Sequence, residues 1–290
     1  MEKYKIKLID TIKASKVWET SPNASIYNSP IFLKNFKKIK ILAALKGDEI
    51  MCCWPIMALK KKMLIPNFFY YFGPYWSLRS YEQPDHSWLS TSKNIYTKFI
   101  EYLQKNFKEI NFQMHYSLLD VRIFDWWNYG LKKKKFRIIP KYSAIINFEG
   151  KNYKEITSLY RYVRRYEIKH FIKYQNKIET CKSNFTEMAK LYIKSSSTKY
   201  TKKEENNLKK DIKFLCNLAN DGFGKVSCFK DKTSNSLIYF NIVLFDKKSA
   251  HLIINSCDKV WKRTGIMAWG VDNLLKDNID KSKLFDFNGA

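Results

Sequence analysis

One basic loop in the second half of the chain has the residue types of an anion-binding site. It reads Lys262-Arg263-Thr264-Gly265-Ile266-Met267 and joins an apolar strand pattern to a helical one. The first N–H groups of a helix have no partner inside the helix, and the helix dipole adds positive charge there. Glycine lets the backbone approach a phosphate closely, while Lys262 and Arg263 add charge. We therefore expect a diphosphate at this loop, and the alternative is an ordinary basic turn capped by Thr264.

Two further side chains, Asp286 and His115, could handle a proton during catalysis. Asp286 alternates with Phe285 and Phe287, so it faces away from two apolar neighbours and could take the proton of an amine nucleophile after attack. The alternative is a strand-end Asp that accepts a hydrogen bond from a turn amide. His115 follows a predicted strand over 110–114, where a strand end could offer a base to a cleft. A packed or solvated histidine is the alternative there.

An aromatic segment in the first half could contact a substrate ring. Residues 68–76 are almost all aromatic, and Tyr71, Tyr75 and Trp76 could stack against a nucleotide base or a sugar. Aromatic residues at this density also fill domain interiors and interfaces, which is the alternative.

A basic helix pattern in the second half supplies a second cationic surface. Arg161, Arg165 and Lys169 are spaced four residues apart, so they share one face of a helix. Three cations on one face suit a diphosphate, and a plain solvated face is equally compatible with the spacing.

Neither a metal site nor a disulfide framework is indicated. No C-x-x-C occurs, and His86, His170 and His251 have no acidic or cysteine partner at a telling spacing. We expect no metal and six free, buried thiols, with Cys52 and Cys53 on opposite faces of one strand. The cysteines are residues 52, 53, 181, 216, 228 and 257.

The sequence lacks the motifs that would indicate several other enzyme classes. Gly222-Phe223-Gly224 precedes a strand and lacks a third glycine, so it is not a dinucleotide loop. The sequence also contains no G-x-S-x-G motif, which argues against a serine hydrolase, and no phosphate-binding P-loop, which argues against a nucleoside triphosphatase.

The predicted strands and helices that position these residues occur in the same order in both halves of the chain. A hairpin over 39–59 turns at Lys46–Glu49 and precedes a helix over 92–107, which Ser92 caps, and the strand over 110–114. The second half contains strands at 224–229, 237–245 and 250–255, a loop at 258–265, a helix at 266–278 and a strand at 284–287. We predict a mixed α/β fold with two similar units, 1–148 and 149–290, each a twisted mixed sheet flanked by helices. A helical insertion over 153–220 opens the second unit.

Composition narrows the class of partner. The 290 residues carry a formal net charge of +26, which favours anionic partners. Only seven of the 53 basic residues are Arg, the residue of base-edge contacts, so nucleic acid is not the expected partner. A non-enzymatic nucleic-acid binder stays an alternative. With no 18-residue apolar run and no leader-like start, we expect a cytoplasmic protein whose membrane contact, if any, is peripheral.

Two motifs lie near the end of the chain, Gly265-Ile266-Met267-Ala268-Trp269 and Phe285-Asp286-Phe287-Asn288-Gly289. They resemble the C-terminal motifs of the FemAB-like acyltransferases. That family consists of tandem units of the GNAT (GCN5-related N-acetyltransferase) fold. Arg161-x-x-Arg164-Arg165-x-x-x-Lys169 resembles its basic helix at the start of the second unit. Three parts of the first half match in order: Phe32-Leu33, the hairpin with Pro55, and Tyr71-Phe72-Gly73-Pro74-Tyr75.

The resemblance implies an N-acyltransferase that uses acyl-CoA and no metal. The coenzyme would lie along the second unit, with its pyrophosphate on Lys262–Met267, and a primary amine would bind between the units. Substrate contacts would come from Tyr71, Tyr75, Trp76, Arg161, Arg165, Lys169 and Asn288. The acceptor would be an amino-sugar nucleotide or similar surface-glycan precursor, because 153–220 lacks the heptads of a coiled-coil arm. Transfer of amino acids from aminoacyl-tRNA to a peptidoglycan precursor is the alternative within the family.

Two departures from the family pattern accompany the resemblance. GNAT pyrophosphate loops run Gln/Arg-x-x-Gly-x-Gly/Ala, whereas here Lys262 stands first and Met267 last. Relatives also continue through further strands beyond the Asp-Phe-Asn-Gly motif. We therefore expect either a shortened chain at Ala290 or a second unit with fewer strands.

Overall fold

The computed structural model describes residues 3–36, 38–182 and 184–288, and it divides the chain into two compact units, 1–141 and 142–290. The motif residue Gly289 therefore lies outside the described residues. The division falls before the predicted one at 148, because residues 145–147 pair with the last strand of the second unit. Each unit contains a six-stranded mixed sheet with helices.

Unit 1 is built around the predicted hairpin. Its turn at Gly47 has φ +62°, a conformation that glycine adopts without strain. The sheet order is β1-β2-β3-β4-β6, with β5 paired to β3 and only β4–β6 parallel. The strands are β1 (Lys5–Ile9), β2 (Ile39–Lys46), β3 (Glu49–Leu59), β4 (Lys62–Leu64), β5 (Tyr75–Trp76) and β6 (Glu109–Ile110). The helices are α1 (Thr11–Thr20), α2 (Pro30–Leu33), α3 (Leu78–Tyr81), α4 (Asp85–Asn106) and α5 (Arg122–Asp125).

Alternation along β3 divides the core of unit 1 into two clusters. Cys52 and Trp54 pack with the buried face of α4, whereas the neighbouring Cys53 packs with Trp18 of α1. This confirms that Cys52 and Cys53 lie on opposite faces. Burial raises the pKa of Cys53 to about 12, so its thiol stays protonated at neutral pH.

Helix α4 begins seven residues before the predicted start at Ser92. Pro84 precedes its first turn, and the Ser92 hydroxyl donates to Leu89 O (3.2 Å) inside the helix. The early turn is held by Trp88, whose ring lies 4.6 Å from that of Trp76. The apolar spacing starts only at residue 95, so periodicity could not locate this first part. The strand predicted over 110–114 is likewise shorter, because β6 ends at Ile110.

Unit 2 contains the sheet β7-β12-β11-β10-β9-β8, in which only β11–β12 is parallel. Its strands are β7 (Ile145–Asn147), β8 (Ile178–Thr180), β9 (Gly224–Asp231), β10 (Leu237–Phe245), β11 (Ser249–Cys257) and β12 (Leu284–Asp286). Its helices are α6 (Tyr153–Ser158), α7 (Tyr162–Ile172), α8 (Phe185–Ser195), α9 (Lys202–Leu218), α10 (Lys259–Lys262) and α11 (Ile266–Asn278). The predicted insertion over 153–220 contains four of these helices, and it also contributes the edge strand β8.

No helix in the described part of the chain is long and apolar enough to cross a membrane.

Candidate functional site

The parallel strands β11 and β12 separate after three residue pairs. Ser249–His251 pair with Leu284–Asp286, and β11 then continues to Cys257 along β10 alone. The Asn288 side-chain amide donates to Leu252 O (3.1 Å) where the pairing ends. From Ile253 onward, no strand in the described residues pairs with this edge of β11. Its backbone N–H and C=O groups can therefore hydrogen-bond an extended ligand as a further strand would.

The predicted anion-binding loop extends from the last residue of α10, Lys262, to the first two residues of α11. Lys262 and Arg263 are exposed, whereas the Ile266 side chain is fully buried in the core. A phosphate at this loop would thus meet two cationic side chains and the first amides of a helix of 13 residues. All six residues of the predicted donor loop lie together, and the side chain of Ile266 contributes only to packing.

Gly265 is required by helix packing whether or not a ligand binds. Its φ is +91°, and a Cβ there would lie 2.2 Å from Glu167 O in α7. The ring Nδ1 of His170, also in α7, lies 3.0 Å from Thr264 O. Helix α7 therefore covers one side of the loop, and a ligand would approach from the side of Lys262 and Arg263.

Two asparagines on the α11 face of the sheet have buried side-chain oxygens without a hydrogen-bond partner in the described part of the chain. They are Asn241 and Asn255, which are directly opposite on β10 and β11 and so point to the same face. The Asn241 amide donates to the Tyr239 hydroxyl (3.1 Å), and Asn241 is 1% exposed. Since an unsatisfied buried acceptor is costly, these oxygens are suited to a donor brought by a ligand.

A buried ionic cluster, Asp246–His251–Asp286, lies at the base of β11 and β12. His251 Nε2 lies 2.7 Å from Asp246 Oδ2, and His251 Nδ1 lies 3.6 Å from Asp286 Oδ2. All three side chains are about 2% exposed. Burial by itself lowers the pKa of His251, but the two carboxylates raise it to about 9, and the pKa of Asp246 is held below its usual value by His251. The imidazole is therefore cationic at neutral pH.

Asp286 is held inside this cluster. Its Oδ1 accepts hydrogen bonds from the Ser143 hydroxyl and from the backbone N–H of Asn288 (2.8 Å). It faces away from Phe285, as predicted, because Phe285 packs in the core beneath α11. The bond from Asn288 is the turn-amide contact that the sequence left open as the structural alternative. A role for Asp286 in catalysis stays a prediction.

The candidate residues of unit 1 are packed in its interior. Tyr75 and Trp76 are fully buried: the Tyr75 hydroxyl donates to Ala14 O (3.3 Å), and Trp76 Nε1 donates to the Tyr96 hydroxyl (3.1 Å). This burial agrees with the alternative in which the aromatic segment fills the core, and a substrate contact of Tyr75 and Trp76 stays a prediction. Tyr71 is 7% exposed, and its ring lies 4.9 Å from that of His115.

His115 takes the packed alternative rather than the exposed strand-end position. It is 6% exposed, and its Nδ1 lies 2.8 Å from the Ser117 hydroxyl. The burial of His115 and Tyr71 removes the open cleft position that the sequence suggested for a base. Their contributions to catalysis and substrate binding stay predictions.

The cationic face of α7 is exposed and does not point at the donor loop. Glu167 and His170 contact the loop, so the face with Arg161, Arg165 and Lys169 lies on the other side of the helix. Arg165 and Lys169 share this exposed face, whereas Arg161 is the N-cap residue that precedes the helix. Substrate binding by these three cations stays a prediction.

Sequence reasoning missed Asp246, His251 and Ser143. A signal was present in the turn Asp246-Lys247-Lys248-Ser249, where Asp246 Oδ1 accepts from the amides of Lys248 and Ser249 (2.8 Å each). An Asp at such a turn marks the hairpin that brings His251 beside it. The approach of Asp286 depends on the parallel pairing of β12, which no local pattern reveals. In residues 3–36, 38–182 and 184–288, no group of His, Cys, Asp and Glu side chains could hold a metal ion.

Comparison with known proteins identifies the architecture. No protein-family model matches the chain, and no curated protein matches it. A crystal structure of FemX matches with a TM-score of 0.61 and 11% identity, over 99% of this chain and 89% of that one. A tandem GNAT protein from the clavulanic acid biosynthesis pathway, solved without acetyl-CoA, matches with a TM-score of 0.54 and 5% identity, over 98% and 89%.

A third solved structure contains a GCN5-related glucosamine N-acetyltransferase region of a fungal multi-domain β-N-acetylglucosaminidase. It matches with a TM-score of 0.50 and 10% identity, over 99% of this chain and 35% of that one. At these identities the likeness concerns the fold. The chain thus has the FemAB-like fold, with two GNAT-like units in tandem.

Proposed function

We propose that this protein is an N-acyltransferase that moves an acyl group from acyl-CoA to the primary amine of an amino-sugar nucleotide or a similar surface-glycan precursor. The observation that carries the proposal is the edge of β11 from Ile253 to Cys257, which no strand among the described residues pairs with and which leads to the basic loop before α11. Along this edge the extended backbone is about 16 Å long. An acyl-CoA bears amide groups in its arm and a diphosphate at its far end, so it complements both features.

The binding mode follows from this complementarity. The amide groups of the arm pair with the β11 edge, and the diphosphate lies beside Lys262 and Arg263. The thioester then lies toward Leu252 and Asn288, where the two strands separate. One of the similar structures is a tandem GNAT protein solved without acetyl-CoA and another is named as an N-acetyltransferase region, which supports an acyl thioester as the donor.

For this reaction the protein must position the amine beside the thioester and stabilise the negative charge that forms on the carbonyl oxygen. The neutral amine attacks the thioester carbonyl, a C–N bond forms, and the carbonyl oxygen becomes an oxyanion. Backbone N–H groups on the open edge of β11 can stabilise that oxyanion. The C–S bond then breaks, the sulfur leaves as the coenzyme thiolate, and the amine nitrogen loses a proton to solvent.

Two observations support the proposed class of acceptor: the net charge of the chain and the reaction named for one of the similar structures. A formal charge of +26 draws anionic acceptors, and a sugar nucleotide carries a diphosphate. One similar structure is named for glucosamine N-acetylation, which is acyl transfer to the amine of a sugar. We place the reaction in the cytoplasm, where acyl-CoA and sugar nucleotides are found.

Coenzyme binding tests the donor half of this proposal. The double variant Lys262→Gln/Arg263→Gln should bind coenzyme A about 10- to 100-fold more weakly by calorimetry, since a charge-assisted hydrogen bond contributes about 1.5–3 kcal/mol. The matched control is Lys276→Gln/Lys281→Gln, which removes two charges near the other end of α11. Equal affinities of the two double variants would exclude the loop as the phosphate site. Gly265→Asp is unsuitable, because any side chain at Gly265 collides with α7.

A transfer assay tests the acceptor half. The protein is incubated with acetyl-CoA and a nucleotide-linked sugar that has a free amine, and the product mass is measured. An acetylated amino-sugar nucleotide is the expected product. If the protein instead transfers only amino acids from aminoacyl-tRNA to a peptidoglycan precursor, the proposed activity is wrong and the alternative within the family is correct.

A further inference from the structure

Unit 1 contains a pocket that the donor site of unit 2 does not use. It has a volume of about 830 Å³ and lies between the first half of α4 and residues 117–128. This volume is within the range of small-molecule sites in proteins. The pocket belongs entirely to unit 1.

The walls of the pocket combine aromatic faces with a few polar groups. Tyr81, Trp88 and Trp126 supply aromatic surface, and Trp88 is fixed by edge contacts with the rings of Trp76 (4.6 Å) and Tyr81 (5.4 Å). Trp126 is 61% exposed, although it belongs to the wall, so its ring is accessible to a ligand. This ring adds apolar contact surface at the opening of the pocket.

The charges of the pocket are balanced, in contrast to the rest of the chain. Two acidic residues, Asp85 and Asp120, and two basic residues, Lys93 and Arg122, line the pocket, whereas the whole chain carries +26. Arg122 binds Asp120 through two hydrogen bonds of 2.9 Å each, which fix a planar set of donors and acceptors in the wall. The pKa of Asp120 is held below its usual value by these hydrogen bonds, so the carboxylate is ionised. Such a lining suits a neutral ligand with several hydroxyl groups.

The helix start at this pocket is also unlike the phosphate loop of unit 2. Helix α4 begins at Asp85, after the N-cap residue Pro84, and the negative charge in its first turn repels a phosphate. By comparison, α11 begins beside Lys262 and Arg263. The pocket is therefore not a second coenzyme site.

We propose that this pocket binds a neutral sugar ring. The apolar C–H face of a pyranose packs on Trp88 or Trp126, while its hydroxyls hydrogen-bond the Asp120–Arg122 pair. This site would bind sugar whether or not unit 2 transfers an acyl group, so the inference does not rest on the proposed function.

Saturation-transfer NMR with N-acetylglucosamine and glucose at millimolar concentration tests the site. We expect transfer to the protons of one ring face, and Trp126→Ala or Asp120→Asn should weaken binding about tenfold or more. Tyr129→Ala is the matched control, because Tyr129 is 77% exposed, three residues from Trp126 and outside the pocket lining. Its sugar affinity should equal that of the wild type.

Several results would overturn the inference. These are no saturation transfer from either sugar, an unchanged affinity in folded Trp126→Ala, or equal losses in Trp126→Ala and Tyr129→Ala. Displacement of the sugar by uridine diphosphate at equal concentration would show an anion site instead of a neutral one. The Lys262→Gln/Arg263→Gln variant separates the two proposals, because it should keep sugar binding while it loses coenzyme A.

Discussion

The buried cluster of Asp246, His251 and Asp286 makes the stability of unit 2 depend on pH. In the folded chain the pKa of His251 rises from 6.5 to about 9, since two carboxylates outweigh the cost of burying the cation. A raised pKa means that folding favours the protonated imidazole. Its contribution is therefore fully present below about pH 6.5 and is lost as the pH rises through 9. The rise corresponds to about 3 kcal/mol in the free energy of unfolding.

Urea unfolding between pH 6 and pH 10 measures this contribution. The wild type and His86→Gln, which removes an exposed histidine of unit 1, should both lose about 3 kcal/mol over this range. His251→Gln should lose none of it, and should already be about 3–5 kcal/mol less stable at pH 7 because two buried carboxylates remain without their cation. At the acid end, the lowered pKa of Asp246 predicts a second loss as the pH falls below its usual value of 3.8.

NMR titration of the wild-type imidazole keeps the prediction testable if His251→Gln does not fold. A His251 resonance that titrates near pH 9 agrees with the cluster. Titration below 6.5 would mean that burial dominates and that the imidazole is neutral, which would refute the reasoning.

Three further changes test the packing. Gly270→Ala should lower the free energy of unfolding by roughly 1–3 kcal/mol in urea titrations, because the new Cβ would lie 2.1 Å from the Tyr239 hydroxyl. Gly150→Ala is the control: its Cβ meets open space, so it should lower the free energy of unfolding by only about 1 kcal/mol through backbone strain. Trp76→Ala should cost about 3–5 kcal/mol by the same assay and leave the acceptor KM unchanged at low temperature, whereas a raised KM without lost stability would restore a binding role. With Ellman's reagent, Cys181 should react first and the five buried thiols only on unfolding; fast reaction of several thiols in the native protein would contradict this order.

The order of strands and helices could be predicted because hairpins and amphipathic helices leave local patterns. Strand β10 and helix α11 have the bounds that the sequence indicated, 237–245 and 266–278. The first turns of α4 could not be predicted, because they are held by the contact of Trp88 with the distant Trp76. Strand β8 is three residues long and forms only by pairing with β9.

The candidate site could be predicted where it depends on a loop and not where it depends on sheet pairing. Residue types and spacing located the basic loop directly before α11, and its role in phosphate binding stays a prediction. The cluster at His251 requires that β12 pair in parallel with β11, a contact between residues more than thirty positions apart. Burial of Tyr75 and Trp76 likewise depends on the partners that cover them, since aromatic residues are common both in cores and in binding sites.

A crystal structure of the protein with bound acetyl-CoA tests the central claim most directly. We predict the diphosphate beside Lys262 and Arg263, and the amide groups of the arm hydrogen-bonded to β11 between Ile253 and Cys257. The thioester should lie near Leu252, where β12 leaves β11. Coenzyme bound elsewhere on the chain, or no coenzyme density after soaking at millimolar concentration, would contradict the assignment of this strand edge as the donor site.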